Sequence, residues 1–344
     1  MAYTTINKST DYFNTITYTG NGTGSTARTV GFDPDWIWVK NRGATDSHYL
    51  MDKVRGLDWN IETDTNAAQV RDYLISGTTS TGWTSSNSGE INANNGTFAA
   101  WNWKANGAGS ANTDGDINST VSVNQTAGFS IVKYTGNGSN DQRVGHGLGA
   151  RPVCWFIKRL GSADDWIVYH QGLATNWYDD TYLYLNSTNA KMGAVNTGTG
   201  NPTSSVFYIG NSDKTGKSGD DYIAYVFAEK QGYSKFGSYT GNGNADGTFI
   251  YTGFKPAFVI VKRSSDTQSW VLWDNKRDGY NQTNPSLTPN ENGAEETRSV
   301  DFLSNGFKQR QNNTATNGSG STYIYIAFAS APLVGTNNIP ATAR

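Results

Sequence analysis

The sequence has little of what disulfide-stapled, nucleic-acid-binding and membrane proteins are built from. Its single cysteine, Cys154, excludes an intrachain disulfide framework and a cysteine-rich zinc site, and its apolar neighbours predict a small buried side chain. Charged residues are only 16% of the chain, with 27 basic and 29 acidic side chains. This balance offers no electrostatic footprint for nucleic acid or an anionic membrane, so we expect neither as a partner.

Long apolar runs are also missing. The first thirteen residues, MAYTTINKSTDYF, lack the apolar core of a signal peptide. No stretch approaches the roughly 18 apolar residues of a membrane span. We therefore expect a soluble protein that is made in the cytoplasm without a signal peptide and does not insert into a membrane.

Motifs of catalysis and metal binding are equally scarce. The sequence contains no HExxH pair, no GxSxG nucleophile elbow and no phosphate-binding GxxxxGK[ST] loop. Its three histidines lie in unrelated contexts, which favours structural or surface roles over a metal site: His48, His146 and His170. Asp114-Gly-Asp116 has the spacing of the first acidic ligands in an EF-hand calcium loop, but the glutamate that completes such a loop is missing. We therefore interpret this segment as a solvated connector and not as a calcium site. We predict no metal and no cofactor.

Paired carboxylates give the strongest enzyme hypothesis, because β-sandwiches can host glycoside hydrolysis by two acidic side chains about 5 to 10 Å apart. The candidate pairs are Asp179 with Asp180 and Asp220 with Asp221. Neighbouring residues on a strand point to opposite faces of the sheet, which suits a shared active site poorly. We therefore predict that the protein is not an enzyme.

What the sequence does have is a long internal repeat. Tyr-Thr-Gly-Asn-Gly, a polar turn, a proline and an apolar run ending in lysine occur three times, at Tyr18–Lys40, Tyr134–Lys158 and Tyr239–Lys262. The copies start roughly 100 residues apart, too far for a solenoid repeat or a propeller blade and about the size of a small domain. This spacing predicts three tandem modules, each with its own core.

Each module contains short alternating or apolar segments separated by glycine-rich turns, which predicts an all-β fold of antiparallel β-sandwich or jelly-roll modules. A short helix is predicted only over Asp64–Ser76, from its apolar spacing. The predicted parts are module one at 11–105, a flexible linker at 106–126, module two at 127–232, module three at 233–331 and a C-terminal tail at 332–344.

The closing strands of the modules align when Phe98, Tyr222 and Tyr323 are superposed. One face of each strand is then apolar or aromatic at every position, and the other face, with Asn102, Ala224 and Tyr325, is expected to be less buried. Two modules also share an Asp-x-x-Arg element, interpreted as an ion pair or turn clamp within the module: Asp52 with Arg55, and Asp274 with Arg277.

Aromatic side chains next to amides and carboxylates suggest a sugar-binding site, because a sugar has an apolar face and a rim of hydroxyl groups. The segment Trp177, Tyr178, Asp179 and Asp180 fits this chemistry and interrupts the pattern shared by the modules. Trp59 and Tyr280 are weaker candidates. For each of them, ordinary packing under a loop is the alternative.

Several long motifs resemble a family of tandem modules found in virion proteins of tailed phages, especially marine phages and cyanophages, often called tail fibre proteins. They are MAYTTINKSTDYF at the start, AGFSIVKYTGNGS at Ala127, GHGLGARPVCWFIKR at Gly145, GYSKFGSYTGNG at Gly232, VDFLSNGFKQR at Val300 and YIYIAFA at Tyr323. The resemblance implies a concanavalin-like or jelly-roll fold and a place on the virion surface. It implies no catalytic residues.

These observations favour a non-enzymatic phage structural protein, a homo-oligomeric tail fibre or adhesin that contacts other virion proteins and the host surface polysaccharide. A capsid decoration protein that stabilises the shell is the alternative, since the sequence has no coiled-coil heptads or collagen-like stalk. A glycan-degrading hydrolase is the third hypothesis and the least favoured.

Overall fold

A computed structural model describes residues 3–173, 181–193 and 200–334. The protein is all-β, with 45% of residues in strands and 2% in helices, and its sheets are antiparallel. The predicted fold class is therefore correct at this level. No helix in the described ranges is long and apolar enough to cross a membrane.

The first repeat builds two sheets and one short α-helix, and a 3-10 helix at Ser9–Asp11 precedes its first strand. The inner sheet has the strand order β1-β9-β3-β4-β5-β6 and the outer sheet the order β2-β8-β7. The elements are β1 Phe13–Thr19, β2 Thr26–Thr29, β3 Trp36–Asn41, β4 His48–Asp52, β5 Trp59–Glu62, β6 Val70–Arg71, β7 Ile75–Thr79, β8 Gly82–Ser85, α1 Gly89–Asn92 and β9 Thr97–Trp103.

The second repeat again has an inner and an outer sheet. Its inner sheet has the order β10-β11-β12-β18-β14-β15-β16, and β13 pairs with β17 outside it. The strands are β10 Ser110–Asn112, β11 Ser119–Asn124, β12 Phe129–Thr135, β13 Gln142–Gly145, β14 Cys154–Arg159, β15 Ile167–His170, β16 Leu183–Tyr184, β17 Val206–Ile209 and β18 Asp221–Phe227.

The third repeat follows the same plan with an inner sheet β19-β26-β21-β22 and an outer sheet β20-β25-β24-β23. The strands are β19 Ser234–Thr240, β20 Phe249–Tyr251, β21 Phe254–Arg263, β22 Val271–Asp274, β23 Thr283–Ser286, β24 Glu296–Leu303, β25 Gly306–Gln309 and β26 Thr322–Pro332.

The inner sheets share one register. The strand that opens each repeat pairs with the strand that closes it, through Tyr18 with Phe98, Tyr134 with Tyr222 and Tyr239 with Tyr323. The repeated lysines also match, because Lys40 lies opposite Ala99, Lys158 opposite Ile223 and Lys262 opposite Ile324. The alignment of the closing strands predicted from the sequence is confirmed.

Two local predictions were wrong. The helix predicted over Asp64–Ser76 is absent, and this segment contributes strand β6 and the start of β7. The predicted flexible linker 106–126 contains strands β10 and β11, and β11 pairs along its whole length with β12. In both cases a place at the edge of a sheet supplies backbone hydrogen bonds that local composition does not reveal.

The three inner sheets enclose one common core. The closing strands direct their apolar faces into a single cluster of buried residues, as shown by Trp101, Tyr225 and Ile326. Rings from different repeats are in contact there: Trp36 stacks on Tyr225 with ring centroids 4.4 Å apart, and Phe13 lies 5.3 Å from Phe328. The sequence predicted a core for each module and did not predict this shared core.

The opposite face of each inner sheet is buried as well, because the outer sheet of the same repeat covers it. Ala224 and Tyr325 belong to separate clusters that join the inner and outer sheets of their repeats. In the first repeat, Asn102 is buried and accepts a hydrogen bond from Trp83 Nε1 at 3.0 Å. The expectation that this face is less buried was wrong.

Backbone hydrogen bonds join the repeats in cyclic order, so that the third repeat contacts the first as the first contacts the second. At each junction a loop after the repeated lysine exchanges two bonds with a loop of the neighbouring repeat. The bonds are Asp164 N to Asn66 O and Gln69 N to Leu160 O, Gln268 N to Thr188 O and Lys191 N to Ser264 O, and Asp46 N to Asn292 O and Glu295 N to Arg42 O. The repeats therefore form a closed ring.

Buried polar side chains in the common core also form hydrogen bonds between different repeats. The Asp52 and Asp274 carboxylates are buried and pair with Arg55 and Arg277, as the sequence predicted. Each carboxylate also accepts a bond from an aromatic residue of another repeat, from Tyr225 Oη at 2.8 Å and from Trp101 Nε1 at 3.1 Å respectively. His170 takes the matching place in the second repeat and donates to the Tyr325 carbonyl at 3.1 Å.

Candidate functional site

The predicted sugar-binding segment Trp177, Tyr178, Asp179 and Asp180 lies outside the described residues, so its prediction stays open. The two weaker candidates are both described. Trp59 is half-buried on β5, with the Arg71 guanidinium 5.8 Å from its ring, so its face is shared with a neighbouring side chain. Tyr280 is different, since 78% of its surface is exposed.

Tyr280 lines a cleft of about 490 Å³ between the third repeat and the start of the first. The buried apolar side chains of this cleft are Phe13, Ala257, Phe302 and Ala329. Its polar lining includes Thr10, Asn14, Lys255, Asn275, Lys276, Asp278 and Asn281. An apolar floor with a polar rim and one exposed aromatic ring is suited to a ligand with both apolar and hydroxyl surfaces.

The chain connectivity explains why the cleft is open at this junction. Between the first and second repeats, the connecting chain fills the corresponding place, where Ala105 N and Gly107 N donate to the Asp35 carboxylate at 2.6 and 3.0 Å. Between the second and third repeats, Gln171 Nε2 donates directly to Phe236 O. At the corresponding place between the third and first repeats, no connecting segment lies among residues 3–173, 181–193 and 200–334.

The loop that carries Tyr280 is fixed at both ends. Before it, Arg277 is buried against Asp274 at 2.6 Å and also contacts Glu295 at 3.1 Å. After it, the Asn281 side chain donates to Phe302 O and accepts from Phe302 N, both at 2.9 Å. These bonds place the Tyr280 ring at the mouth of the cleft while its surface stays exposed.

Four polar groups around the cleft make no side-chain hydrogen bond or ion pair within the described part of the chain: the Thr10 hydroxyl, the Asn275 amide, the Lys276 ammonium and the Tyr280 hydroxyl. Hydrogen bonds fix the backbone of two of these residues. Asn275 N donates to Ala257 O, and Lys276 N donates to Asp274 Oδ1, both at 2.9 Å. The cleft therefore offers several oriented groups to a polar ligand.

The carboxylate pairs considered for hydrolysis do not form a shared site where they are described. Asp220 pairs with Arg159, whereas Asp221 pairs with Lys133 at 3.3 Å and accepts from Thr135 Oγ1 at 2.6 Å. The other pair, Asp179 with Asp180, lies outside the described residues. The two described carboxylates therefore have different cationic partners.

Asp114 and Asp116, which have the spacing of calcium ligands, bind protein groups in the structure. Asp116 pairs with Arg143 at 2.5 Å, and the hydrogen bonds from Arg143 lower the pKa of Asp116 to about 2. Asp114 accepts from the Asn112 amide at 2.9 Å. No group of three or more potential metal-ligating side chains occurs among the residues that the structure describes.

The three histidines and Cys154 are all buried, and Cys154 lies opposite His170 in the pairing of β14 with β15. Burial lowers the pKa of all three histidines, to about 4 for His146 and His170, so their rings are neutral at pH 7. Burial also raises the pKa of the Cys154 thiol well above its usual value, which makes it unreactive. Cys154 is a small buried side chain, as predicted, and each histidine makes at least one hydrogen bond in the interior.

Most of the cleft was missed from the sequence. Tyr280 was named, but Thr10, Asn275 and Lys276 were not. Thr10 lies at the opposite end of the chain from the other two, and a prediction of separate modules cannot bring them together. The sequence contained one indication of these residues. Asn275 and Lys276 are the two residues between Asp274 and Arg277, and they are polar although they are not part of the buried ion pair.

Comparison with known proteins gives one family. The sequence model of a domain of unknown function, DUF7483, matches residues 8–332 in a single span that includes all three repeats. No curated protein matches the chain.

Proposed function

Because the chain belongs to the DUF7483 family, whose function is unknown, we propose a function from its own geometry and motifs. The protein is a non-enzymatic structural protein of a phage particle, displayed on the virion surface as a tail fibre component or adhesin. It binds host surface polysaccharide and contacts other virion proteins as a homo-oligomer. The phage resemblance of its long motifs supports the location.

The fold supports a role in a durable external particle. In this proposal the repeats are three β-sandwich units, corresponding to residues 11–105, 127–232 and 233–331, each made of an inner and an outer sheet. The buried clusters between these sheets and the common core support this description. A closed ring leaves the loops at its surface free to vary, as binding loops on a rigid scaffold do.

The observation that carries the binding function is the exposed ring of Tyr280 above a cleft with an apolar floor and free polar groups. An aromatic ring beside a concave surface with an apolar floor and polar groups is the arrangement that binds the apolar face and the hydroxyl groups of a sugar. A pyranose ring stacked on Tyr280 would place its hydroxyl groups near Asn275 and Thr10. The Trp177–Asp180 segment remains a second candidate contact.

Hydrolysis is less well supported at this cleft. Asp278 is the one carboxylate among the described lining residues, whereas the usual glycosidase mechanism needs two. Capsid decoration stays as the alternative, because a compact ring of three repeats suits attachment to a shell as well as to a tail. Immunogold electron microscopy of intact particles separates the two: label confined to the tail supports the adhesin, and label over the capsid supports decoration.

Sugar binding at the cleft is tested with oligosaccharides from the host surface, using glycan arrays and titration calorimetry. We expect Tyr280→Ala to weaken binding by roughly tenfold or more, because the loss of one aromatic stacking contact is worth about 1 to 2 kcal/mol. Tyr251→Ala is the matched control, since Tyr251 is also exposed but lies on β20, outside the cleft lining. Equal binding by wild type and Tyr280→Ala would contradict the proposal.

A further inference from the structure

We propose that the Tyr280 cleft selects saccharides that carry a negative charge, with the sugar ring on Tyr280 and its anionic group at the Lys276 ammonium. This inference rests on the proposed sugar-binding function of the same cleft and adds the class of ligand. It follows from how charge is distributed at this junction.

The side chains of the described lining that are charged at pH 7 are two lysines and one aspartate: Lys255, Lys276 and Asp278. The chain as a whole is slightly acidic, with a net charge of −2, so this local excess of positive charge is not a general property of its surface. Asp278 faces the backbone N of Asn284 at 3.5 Å. An anionic ligand would therefore meet a positive field in the cleft.

Lys276 is the lysine best placed to bind such a ligand. Its side chain is exposed, and it makes no ion pair within the described part of the chain. The adjacent Arg277 is unavailable, since its guanidinium is buried and contacts both Asp274 and Glu295. A lysine ammonium beside a bound carboxylate or sulfate gains a charge-assisted hydrogen bond, which is stronger than a bond between neutral groups.

Comparison of the three repeats shows how the position of Lys276 differs from the equivalent positions in the first and second repeats. The two positions that follow the buried acid or histidine are Asn275 and Lys276 in the third repeat, Lys53 and Val54 in the first, and Gln171 and Gly172 in the second. In the first repeat the lysine at these positions is held by an ion pair within the repeat, and in the second repeat both positions contact the third repeat.

In the first repeat, Lys53 pairs with Asp33 at 2.6 Å and with Asp35 at 3.1 Å. In the second, Gln171 bonds to Phe236 O, and Gly172 packs closely against the third repeat. Only at the open junction do both equivalent side chains, Asn275 and Lys276, reach the cleft without a partner among the described residues. The Lys276 ammonium is thus at the one of the three junctions where the described residues leave a cleft.

The test compares three oligosaccharides of equal length by titration calorimetry: an oligogalacturonate, a sulfated galactan and a neutral galactan. We expect the intact protein to bind an anionic oligosaccharide more tightly than the neutral one and to lose this preference as salt is raised. Lys276→Gln should weaken binding of the anionic ligand by roughly five- to tenfold and leave binding of the neutral one unchanged. Lys133→Gln, on β12, is the matched control and should change neither.

Each result decides a different point. Binding of the oligogalacturonate alone identifies a carboxylate as the anionic group, and binding of the sulfated galactan alone identifies a sulfate. Equal binding of all three, with no effect of Lys276→Gln, overturns this inference and leaves the sugar-binding proposal intact. Binding of none overturns both. Anionic binding that resists Tyr280→Ala reduces the interaction to ion pairing and also contradicts the inference.

Discussion

At the scale of single residues, the buried Asp-x-x-Arg pairs do more than close a turn. Asp274 accepts bonds from the backbone of Lys276 and Arg277, from the Arg277 guanidinium and from Trp101 of the first repeat. One carboxylate therefore holds the start of the Tyr280 loop and contacts the common core. The sequence predicted the ion pair from its spacing, but the bond from Trp101 depends on the ring.

Removing this carboxylate should be costly. Asp274→Ala would leave the Arg277 guanidinium buried without its main partner, and we expect a loss of about 3 to 5 kcal/mol in the free energy of unfolding. Asp58→Ala is the control, because it removes the half-buried partner of the exposed Arg71 at the surface and should cost about 1 kcal/mol or less. Urea denaturation measures both, and similar small losses would contradict the role given to Asp274.

At the scale of elements, the sequence was most informative where a pattern recurs in all three repeats. The opening and closing strands were located because aromatic alternation and the Tyr-Thr-Gly-Asn-Gly motif occur three times. The segments that differ between the repeats were misjudged. Asp64–Ser76 has helical spacing and the linker looks unstructured, yet pairing with the neighbouring strands β5 and β12 makes β6 and β11 part of a sheet.

The repeated lysines show how strand ends are joined to the next repeat. Lys158 Nζ donates to Asn66 O of the first repeat at 3.1 Å, and Lys262 Nζ donates to Thr188 O of the second at 3.2 Å. Burial lowers the pKa of Lys40 and Lys158 to about 8 and that of Lys262 to about 7. The sequence showed that these lysines recur and gave no indication that they are buried.

These lowered pKa values predict a dependence of stability on pH. Between about pH 7 and pH 10 the unfolded chain binds more protons at the three lysines than the folded chain does, so the free energy of unfolding should rise with pH in this window. The buried Cys154 thiol acts in the opposite direction, because its pKa is raised. The difference between wild type and Lys262→Met isolates the lysine contribution.

We expect the urea midpoint of the wild type to increase from pH 7 to pH 9.5 relative to that of Lys262→Met. At pH 9.5 the variant should be less stable than the wild type, because the substitution removes the hydrogen bonds from Lys262 to the Thr188 and Arg263 carbonyls. Its free energy of unfolding should also rise less steeply with pH. Identical slopes for the two proteins would show that Lys262 does not titrate in this range.

At the scale of the whole molecule, closure of the ring is the feature that the sequence did not predict. Three copies of one pattern suggested three modules in a row, and such a row leaves the first and last modules apart. The closure follows from the apolar faces of the inner sheets, which no single repeat can bury alone. The cleft, with Asn275 and Lys276 in its lining, is a consequence of this closure.

The cooperativity of unfolding tests the closed ring most directly, by scanning calorimetry of the intact chain. Because the largest buried cluster draws on all three repeats, we predict a single transition whose calorimetric and van't Hoff enthalpies agree. Two or three resolved transitions, or a van't Hoff enthalpy well below the calorimetric enthalpy, would show that the repeats unfold separately and would contradict the common core.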